Sequence, residues 1–213
     1  MTSVERAQAA VDALKIAYPD AACSLISRNP LELLIATRLS AQCTDARVNL
    51  VTPALFERFP TLDDFCAGSE AEIAEYIRSC GLYKTKARDI YAMCLAIRDQ
   101  FGGEVPDTLD ALTSLPGVGR KTANLIMGDI YGQPAVVADT HCIRINNRLG
   151  LCATKDPYKV EIALRRVLPP DESNAYCHRM VLHGRAVCDA RKPRCADCCM
   201  ASFCPKIGVK EEV

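Results

Sequence analysis

TSLPGVGRKTANLIMG, residues 113–128, turns on a proline and two glycines and then runs into a helical pattern starting at about Arg120. Glycine lets backbone approach a ligand closely, and the unpaired N–H groups of a helix start attract an anion. The preceding PDTLDALTSL, 106–115, is helical in pattern too, so the segment reads as helix, hairpin turn, helix over about 108–128. Main-chain N–H groups of Gly117, Val118 and Gly119 in such a turn suit a phosphate grip that ignores base sequence. A bare GxG spells only a turn between helices; LPGVGRKTA in full is more specific.

Outward from the hairpin the dominant period is helical. Ser69 followed by Glu72 makes a capping box for a helix running to about Cys80, with Gly81 at its end. LYKTKARDIYAMCLAIRDQF, 82–101, spaces apolar residues by three and four before Gly102 and Gly103 stop it. KTANLIMGDIYG, THCIRINNRLGL and the segments 157–168 and 171–187 supply further helices. AVVA at 135–138 is a short apolar run that reads as a connector rather than a sheet strand. The expected class is all-α, with a lobe boundary in GQPAVVA, 132–138.

Composition narrows the function classes. The 213 residues are 49% hydrophobic and 24% charged, a globular balance that argues against disorder. No apolar run reaches the roughly 18 to 20 residues of a membrane span, so a soluble protein is expected. Net charge is zero, so a polyanion partner would require cations gathered on one face. Thirteen cysteines, an odd number, disfavour a disulfide framework. Eight of them, Cys23, Cys43, Cys66, Cys80, Cys94, Cys142, Cys152 and Cys177, are scattered singly and read as small core hydrophobes of a reduced, intracellular chain.

Two residues near the hairpin carry chemistry. Lys121 lies on the first turn of its second helix. A helix N-terminus disfavours an ammonium, and a neutral amine is what a Schiff-base nucleophile needs; a solvated surface lysine is the plain alternative. Asp139, in VVADTHCIRINNRLGL, is a natural N-cap, and the apolar run before it predicts a partly buried carboxylate able to stabilise charge. SAQCTD, 40–45, ends one helix and opens another with Thr44 or Asp45 as cap, leaving Gln42 as a linker or as a group that fills a gap in a base stack. Leu82, in the turn GLY, either packs inward or wedges between bases. His141 has no second histidine at ligand spacing and reads as a structural hydrogen bonder.

The last cysteines stand apart. CDARKPRCADCCMASFC, 188–204, holds five, and a four-thiolate site takes either Cys198 or Cys199 beside Cys188, Cys195 and Cys204. Zinc and a [4Fe–4S] cluster both suit such a set. Between the first two, Arg191, Lys192 and Arg194 form a basic loop pinned at both ends.

LSAQCTD, GLYKTKA, LPGVGRKTAN, VADTH and the C-x6-C-x2-C-x5-C tail together resemble the endonuclease III family of helix-hairpin-helix DNA glycosylases, over nearly the whole chain. The resemblance implies two helical lobes, a six-helix barrel over 23–133 and a second lobe of 1–22 with 134–213 that carries a [4Fe–4S] cluster in the loop 188–204. It implies Lys121 as nucleophile, Asp139 as catalytic carboxylate, and Cys188, Cys195, Cys198 and Cys204 as ligands. Gln42 would fill the flipped-out gap and Leu82 wedge the opposite strand, with the hairpin glycines and the basic loop on phosphates. The implied activity is that of a bifunctional glycosylase and AP lyase of base excision repair, removing oxidised pyrimidines and cutting 3′ to the abasic site by β-elimination. The implied partner is double-stranded DNA with a damaged base or abasic site, met by a monomer in a bacterial-type cytoplasm, with no membrane involved.

Other readings keep part of this. A mismatch or pyrimidine-dimer glycosylase of the same superfamily would differ in pocket loops, and a non-catalytic DNA-binding protein would use the cluster only as a staple. An adenine-mismatch enzyme would lack Lys121 and needs a further C-terminal domain, for which the nine residues after Cys204 leave no room. The chain departs from the family pattern at Cys43, where a small residue is usual, at Ala138, where valine is common, and in its neutral charge.

Overall fold

The computed structural model describes residues 1–209, so the last four positions of the expected second lobe lie outside the described residues. Eleven α-helices form among them and no β-strand: α1 (Ser3–Ala17), α2 (Pro30–Ser40), α3 (Asp45–Arg58), α4 (Leu62–Ala67), α5 (Glu70–Tyr76), α6 (Tyr83–Gln100), α7 (Leu109–Ser114), α8 (Arg120–Asp129), α9 (Thr140–Arg148), α10 (Pro157–Arg165) and α11 (Ser173–Ala186). The chain divides into two compact units. One is Cys23–Tyr131; the other joins Met1–Ala22 to the chain from Gly132 onward.

The continuous unit holds α2 to α8. Side chains from each of those helices, among them Leu34, Leu39, Leu55, Phe65, Ile73, Ile90, Leu112 and Ile126, build one buried cluster. Phe59 and Phe65 stack with ring centroids 4.9 Å apart, and a Cβ at Gly68 would come within 2.7 Å of the Phe59 ring. Helix starts follow the sequence: Asn29, Thr44, Thr61, Ser69 and Thr108 each accept a hydrogen bond from a backbone N–H three residues on, an arrangement worth about 1 kcal/mol per cap.

One expected helix is shorter than its pattern. α5 ends at Tyr76, and the Cys80 N–H closes a turn onto the Ile77 carbonyl at 2.9 Å. Ile73, Ile77 and Cys80 are all fully buried, so the apolar spacing that mimics a longer helix is satisfied by a turn. Ser69 caps α5, but the Glu72 carboxylate accepts from the Ser69 hydroxyl at 3.1 Å instead of completing a capping box.

The discontinuous unit packs α1 with α9, α10 and α11. Ala7, Ala10, Val11 and Leu14 of α1 are buried, as are Ile145, Val160, Leu164 and Met180. Tyr176, fully buried, donates to Asn146 Oδ1 at 2.6 Å. Glu172 pairs with Lys15 of α1 and with Arg179 of α11 at 2.8 Å. Ala135–Ala138 are buried without strand pairing, and the Val137 N–H turns to the Cys177 sulfur at 3.3 Å.

Candidate active site and thiol pocket

The hairpin joins α7 to α8. Leu115 and Val118 point inward, and the Val118 N–H donates to the Leu115 carbonyl at 3.1 Å, closing the turn. Gly117 has φ +74°, and a Cβ there would stand 2.8 Å from Arg38 Nε and 2.9 Å from Asp89 Cβ. Arg38 and Asp89 form a largely buried ion pair at 2.7 Å beneath the turn, linking α2 to α6. Gly119 differs: it is the N-cap of α8, exposed, with nothing within 4 Å of its Cβ position. Protein packing leaves that glycine unexplained, whereas close approach of a ligand to the exposed helix start accounts for it. Lys121 follows, exposed, as the second residue of α8.

Gln42 and Leu82 lie in the same unit, in two turns that touch: the Cβ position of Gly81 is 3.6 Å from the Gln42 carbonyl oxygen. Both adopt left-handed backbone conformations, with φ of 54° and 59°. For residues other than glycine this costs on the order of 1 to 2 kcal/mol. Leu82 is 60% exposed and makes no side-chain cap on α6. An apolar side chain held outward in a strained turn gains nothing from the core, so packing does not account for the strain. The inward-packing alternative for Leu82 is therefore not what forms.

Asp139, in the other unit, caps α9: its Oδ1 accepts from the Cys142 N–H at 2.7 Å. It is half-buried at the end of the buried run 135–138. Beneath it Cys142 and Cys177 are hydrogen-bonded to one another; that bond and full burial raise the Cys142 thiol well above its ordinary value. His141 Nδ1 lies 3.2 Å from Arg144, and a Cβ at Gly184 would meet the imidazole at 2.4 Å, so α11 approaches α9 there through a missing side chain.

Cys188, Cys195, Cys198 and Cys204 line one cavity in this unit, walled by Ile145, Leu149, Met200, Arg148 and His183. Cys199 does not line it and is exposed. Among the described residues no group of three or more His, Cys, Asp or Glu is arranged to hold a single ion; the four thiols instead surround a shared space. Two sulfurs already have nitrogen partners, Cys188 with Arg148 Nη1 at 3.1 Å and Cys198 with His183 Nε2 at 3.4 Å. Burial raises the Cys188 thiol, and Arg148 pulls it back.

In the loop that follows Cys188, the Asp189 carboxylate accepts from the N–H groups of Arg191 and Lys192 at 2.8 and 3.2 Å, leaving both side chains exposed. Arg194 turns back instead, donating to the Ala186 carbonyl and facing Asp197 at 3.8 Å.

Four contributors escape a reading of motifs. Arg148 donates to the carbonyls of Asp189 at 2.6 Å and Ala190 at 2.8 Å, and its own carbonyl accepts from Ile207 at 3.0 Å. His183, almost wholly buried, links Tyr18 to Cys198. The Arg38–Asp89 pair braces the hairpin. Lys86, wholly buried, donates to the Leu39 carbonyl at 2.7 Å, and burial lowers its ammonium from the ordinary lysine value. Only Arg148 has a local signal, its place at the end of NNR just before a glycine turn.

Residues 35–170 match the HhH-GPD superfamily base excision DNA repair protein family. Relatives named endonuclease III include one from Synechocystis sp., 48% identical over 90% of this chain and 88% of its own, and one from Bacillus subtilis, 42% identical over 96% and 94%. Among solved structures, a trapped endonuclease III–DNA covalent intermediate superposes with a TM-score of 0.90 at 43% identity, covering 97% of each chain. A thermostable thymine-DNA glycosylase shares the fold, with a TM-score of 0.85 at 21% identity.

Proposed function

Because the chain belongs to the endonuclease III family of the HhH-GPD superfamily, we propose that Lys121 and Asp139 form its catalytic pair and that oxidised pyrimidines in double-stranded DNA are its substrates. The protein is a DNA glycosylase and AP lyase of base excision repair. The carrying observation is the exposed Lys121 on the first turn of α8, directly after a hairpin whose Gly119 faces open space.

A base inside a duplex is out of reach, so the nucleotide must leave the stack, at a cost of a few kcal/mol that is smallest for a poorly stacked lesion. Leu82 and Gln42, held outward by their left-handed turns, take up the vacated space. The Gly117 and Gly119 N–H groups hold the phosphates; the Val118 N–H, expected to share in this, is instead taken by the Leu115 carbonyl. Neutral Lys121 attacks C1′ and the base departs. Asp139 keeps Oδ1 on its cap and offers its second oxygen to the charge that develops on the sugar. The resulting Schiff base acidifies the C2′ hydrogen, so β-elimination cuts the strand 3′ to the lesion. One nucleophile thus explains base removal and strand cleavage.

We assign Cys188, Cys195, Cys198 and Cys204 as ligands of a [4Fe–4S] cluster. An all-thiolate set placed around one cavity, with a nitrogen partner already on two sulfurs, suits such a group. Held by these four residues the cluster would serve as a structural clamp, and Arg191 and Lys192, exposed on the loop between Cys188 and Cys195, would meet DNA phosphates. Arg194, turned toward Ala186 and Asp197, supports the loop. The Cys23–Tyr131 unit corresponds to the barrel lobe and the discontinuous unit to the cluster lobe. The protein works as a cytoplasmic monomer; no helix among the described residues is long and apolar enough to cross a membrane.

Borohydride trapping on abasic-site DNA tests the nucleophile. Wild-type protein forms a covalent adduct and Lys121→Gln does not; equal trapping by the variant removes Lys121 from the role. Asp139→Asn keeps DNA binding and loses turnover by orders of magnitude, whereas weak binding with normal turnover would reduce Asp139 to a cap.

A further inference from the structure

Two thiols meet behind the turns that carry Gln42 and Leu82. Cys43 follows Gln42 and is half-buried, while Cys80 precedes Gly81 and Leu82 and is wholly buried. Both are free thiols, and Cys43 lies near enough to disfavour the ionisation of Cys80. The chain segments run close by, as the 3.6 Å approach of the Gly81 Cβ position to the Gln42 carbonyl records. The buried Lys86 ammonium, tied to the Leu39 carbonyl, acts on both sulfurs. Burial pushes the Cys80 thiol up to about 11. Cys43, with one face toward solvent and a buried cation behind it, is the sulfur an oxidant reaches.

We propose that Cys43 and Cys80 are a redox modification site: a hydroperoxide converts them to a reversible disulfide that ties the Gln42 and Leu82 turns together and weakens binding to lesion DNA. The Cys43 thiolate attacks one peroxide oxygen; the O–O bond breaks, giving a sulfenic acid and, after protonation of the departing hydroxide, water. The Cys80 sulfur then attacks the sulfenic sulfur, the S–O bond breaks, and a second water leaves as the S–S bond forms. Two thiols and one hydrogen peroxide become one disulfide and two waters, so the two electrons lost by sulfur reduce the peroxide.

The two sulfurs must close to about 2.05 Å to bond, and the bond pulls on the turns that carry them. Each turn carries a non-glycine residue in a left-handed conformation, and the displaced residues are Gln42 and Leu82. A misplacement of about 1 Å in positioning groups can cost a reaction roughly a hundredfold. The predicted loss of binding rests on the roles proposed for Gln42 and Leu82; the disulfide itself does not.

The cluster-loaded protein is treated with hydrogen peroxide, blocked with iodoacetamide and cut with trypsin without reductant. Peptides 39–47 and 79–84 are expected as one linked species, two hydrogens lighter than their sum, released by dithiothreitol and absent from Cys43→Ala. Affinity for a duplex holding a stable abasic-site analogue falls roughly tenfold on oxidation and returns with dithiothreitol, while Cys43→Ala and Cys80→Ala bind as reduced wild type before and after peroxide. Recovery of both peptides fully alkylated overturns the disulfide. Linkage without a change in affinity overturns the switch, as does an equal loss in Cys43→Ala, which would place the damage elsewhere. Failure of reduced wild-type protein in borohydride trapping would instead defeat the catalytic reading, with the linkage still measurable.

Discussion

A methyl group at Gly117 would enter the left-handed region and strike the Arg38–Asp89 pair at under 3 Å, whereas one at Gly119 would meet no protein atom. Two substitutions of the same kind should therefore part company. Gly117→Ala is expected to lose about 2 kcal/mol of stability and to weaken DNA binding with it. Gly119→Ala should lose less than about 1 kcal/mol, alanine being the poorer N-cap, yet bind DNA severalfold more weakly, because its added methyl meets no protein atom and occupies the space a phosphate would take. Differential scanning calorimetry beside a binding titration reads both quantities; a stability loss at Gly119 as large as at Gly117 would contradict the assignment. Cys198 and Cys199, adjacent in the chain, separate similarly. Cys199→Ser should keep the visible absorbance of an iron–sulfur protein and Cys198→Ser should lose it, since only Cys198 faces the cavity.

At the scale of helices, two arginines do work that spacing does not announce. Arg38 on α2 holds Asp89 on α6, with both side chains about 15% exposed. Removing one partner leaves a poorly solvated charge, so Arg38→Met and Asp89→Asn should each cost about 3 kcal/mol, and the double variant less than their sum. Additive losses in denaturant melts would mean the pair acts as two independent residues. Arg148 on α9 holds the carbonyls of Asp189 and Ala190; Arg148→Met should speed tryptic cleavage after Arg191, while an unchanged digestion rate would show that the loop keeps its shape by other means. These elements also show what sequence can carry. The hairpin, the Thr44 and Asp139 caps and the unpaired 135–138 connector were legible because each is fixed by residues within one or two turns of itself. The end of α5 at Tyr76, the Arg38–Asp89 pair spanning 51 residues and the approach of the Cys43 and Cys80 segments were not, because each is settled by segments distant along the chain.

At the scale of the molecule, the unit formed by Met1–Ala22 with the chain from Gly132 onward is tied across its gap by Glu172, which pairs with Lys15 and Arg179. Hydrogen bonds from Lys15 first and Arg179 second hold the Glu172 carboxyl below its ordinary 4.5. A depressed folded-state value means the stabilisation is complete above pH 4.5 and drains away as pH falls through the lower folded value. Wild type should therefore melt above Glu172→Gln at neutral pH, with the gap closing on acidification below pH 4.5; a gap that persists at pH 3 would point to packing rather than charge.

That discontinuity also orders events during synthesis. The residues that cover the buried face of α1, Ala7, Ala10, Val11 and Leu14, belong to its own unit, and the remainder of that unit emerges only after Tyr131 has been made. On the ribosome, the Cys23–Tyr131 segment has its whole core before α1 has any of its partners. A helix made before that segment is thus covered after it, and its apolar stripe waits, open to chaperones and to misplaced contacts, for more than a hundred residues of translation.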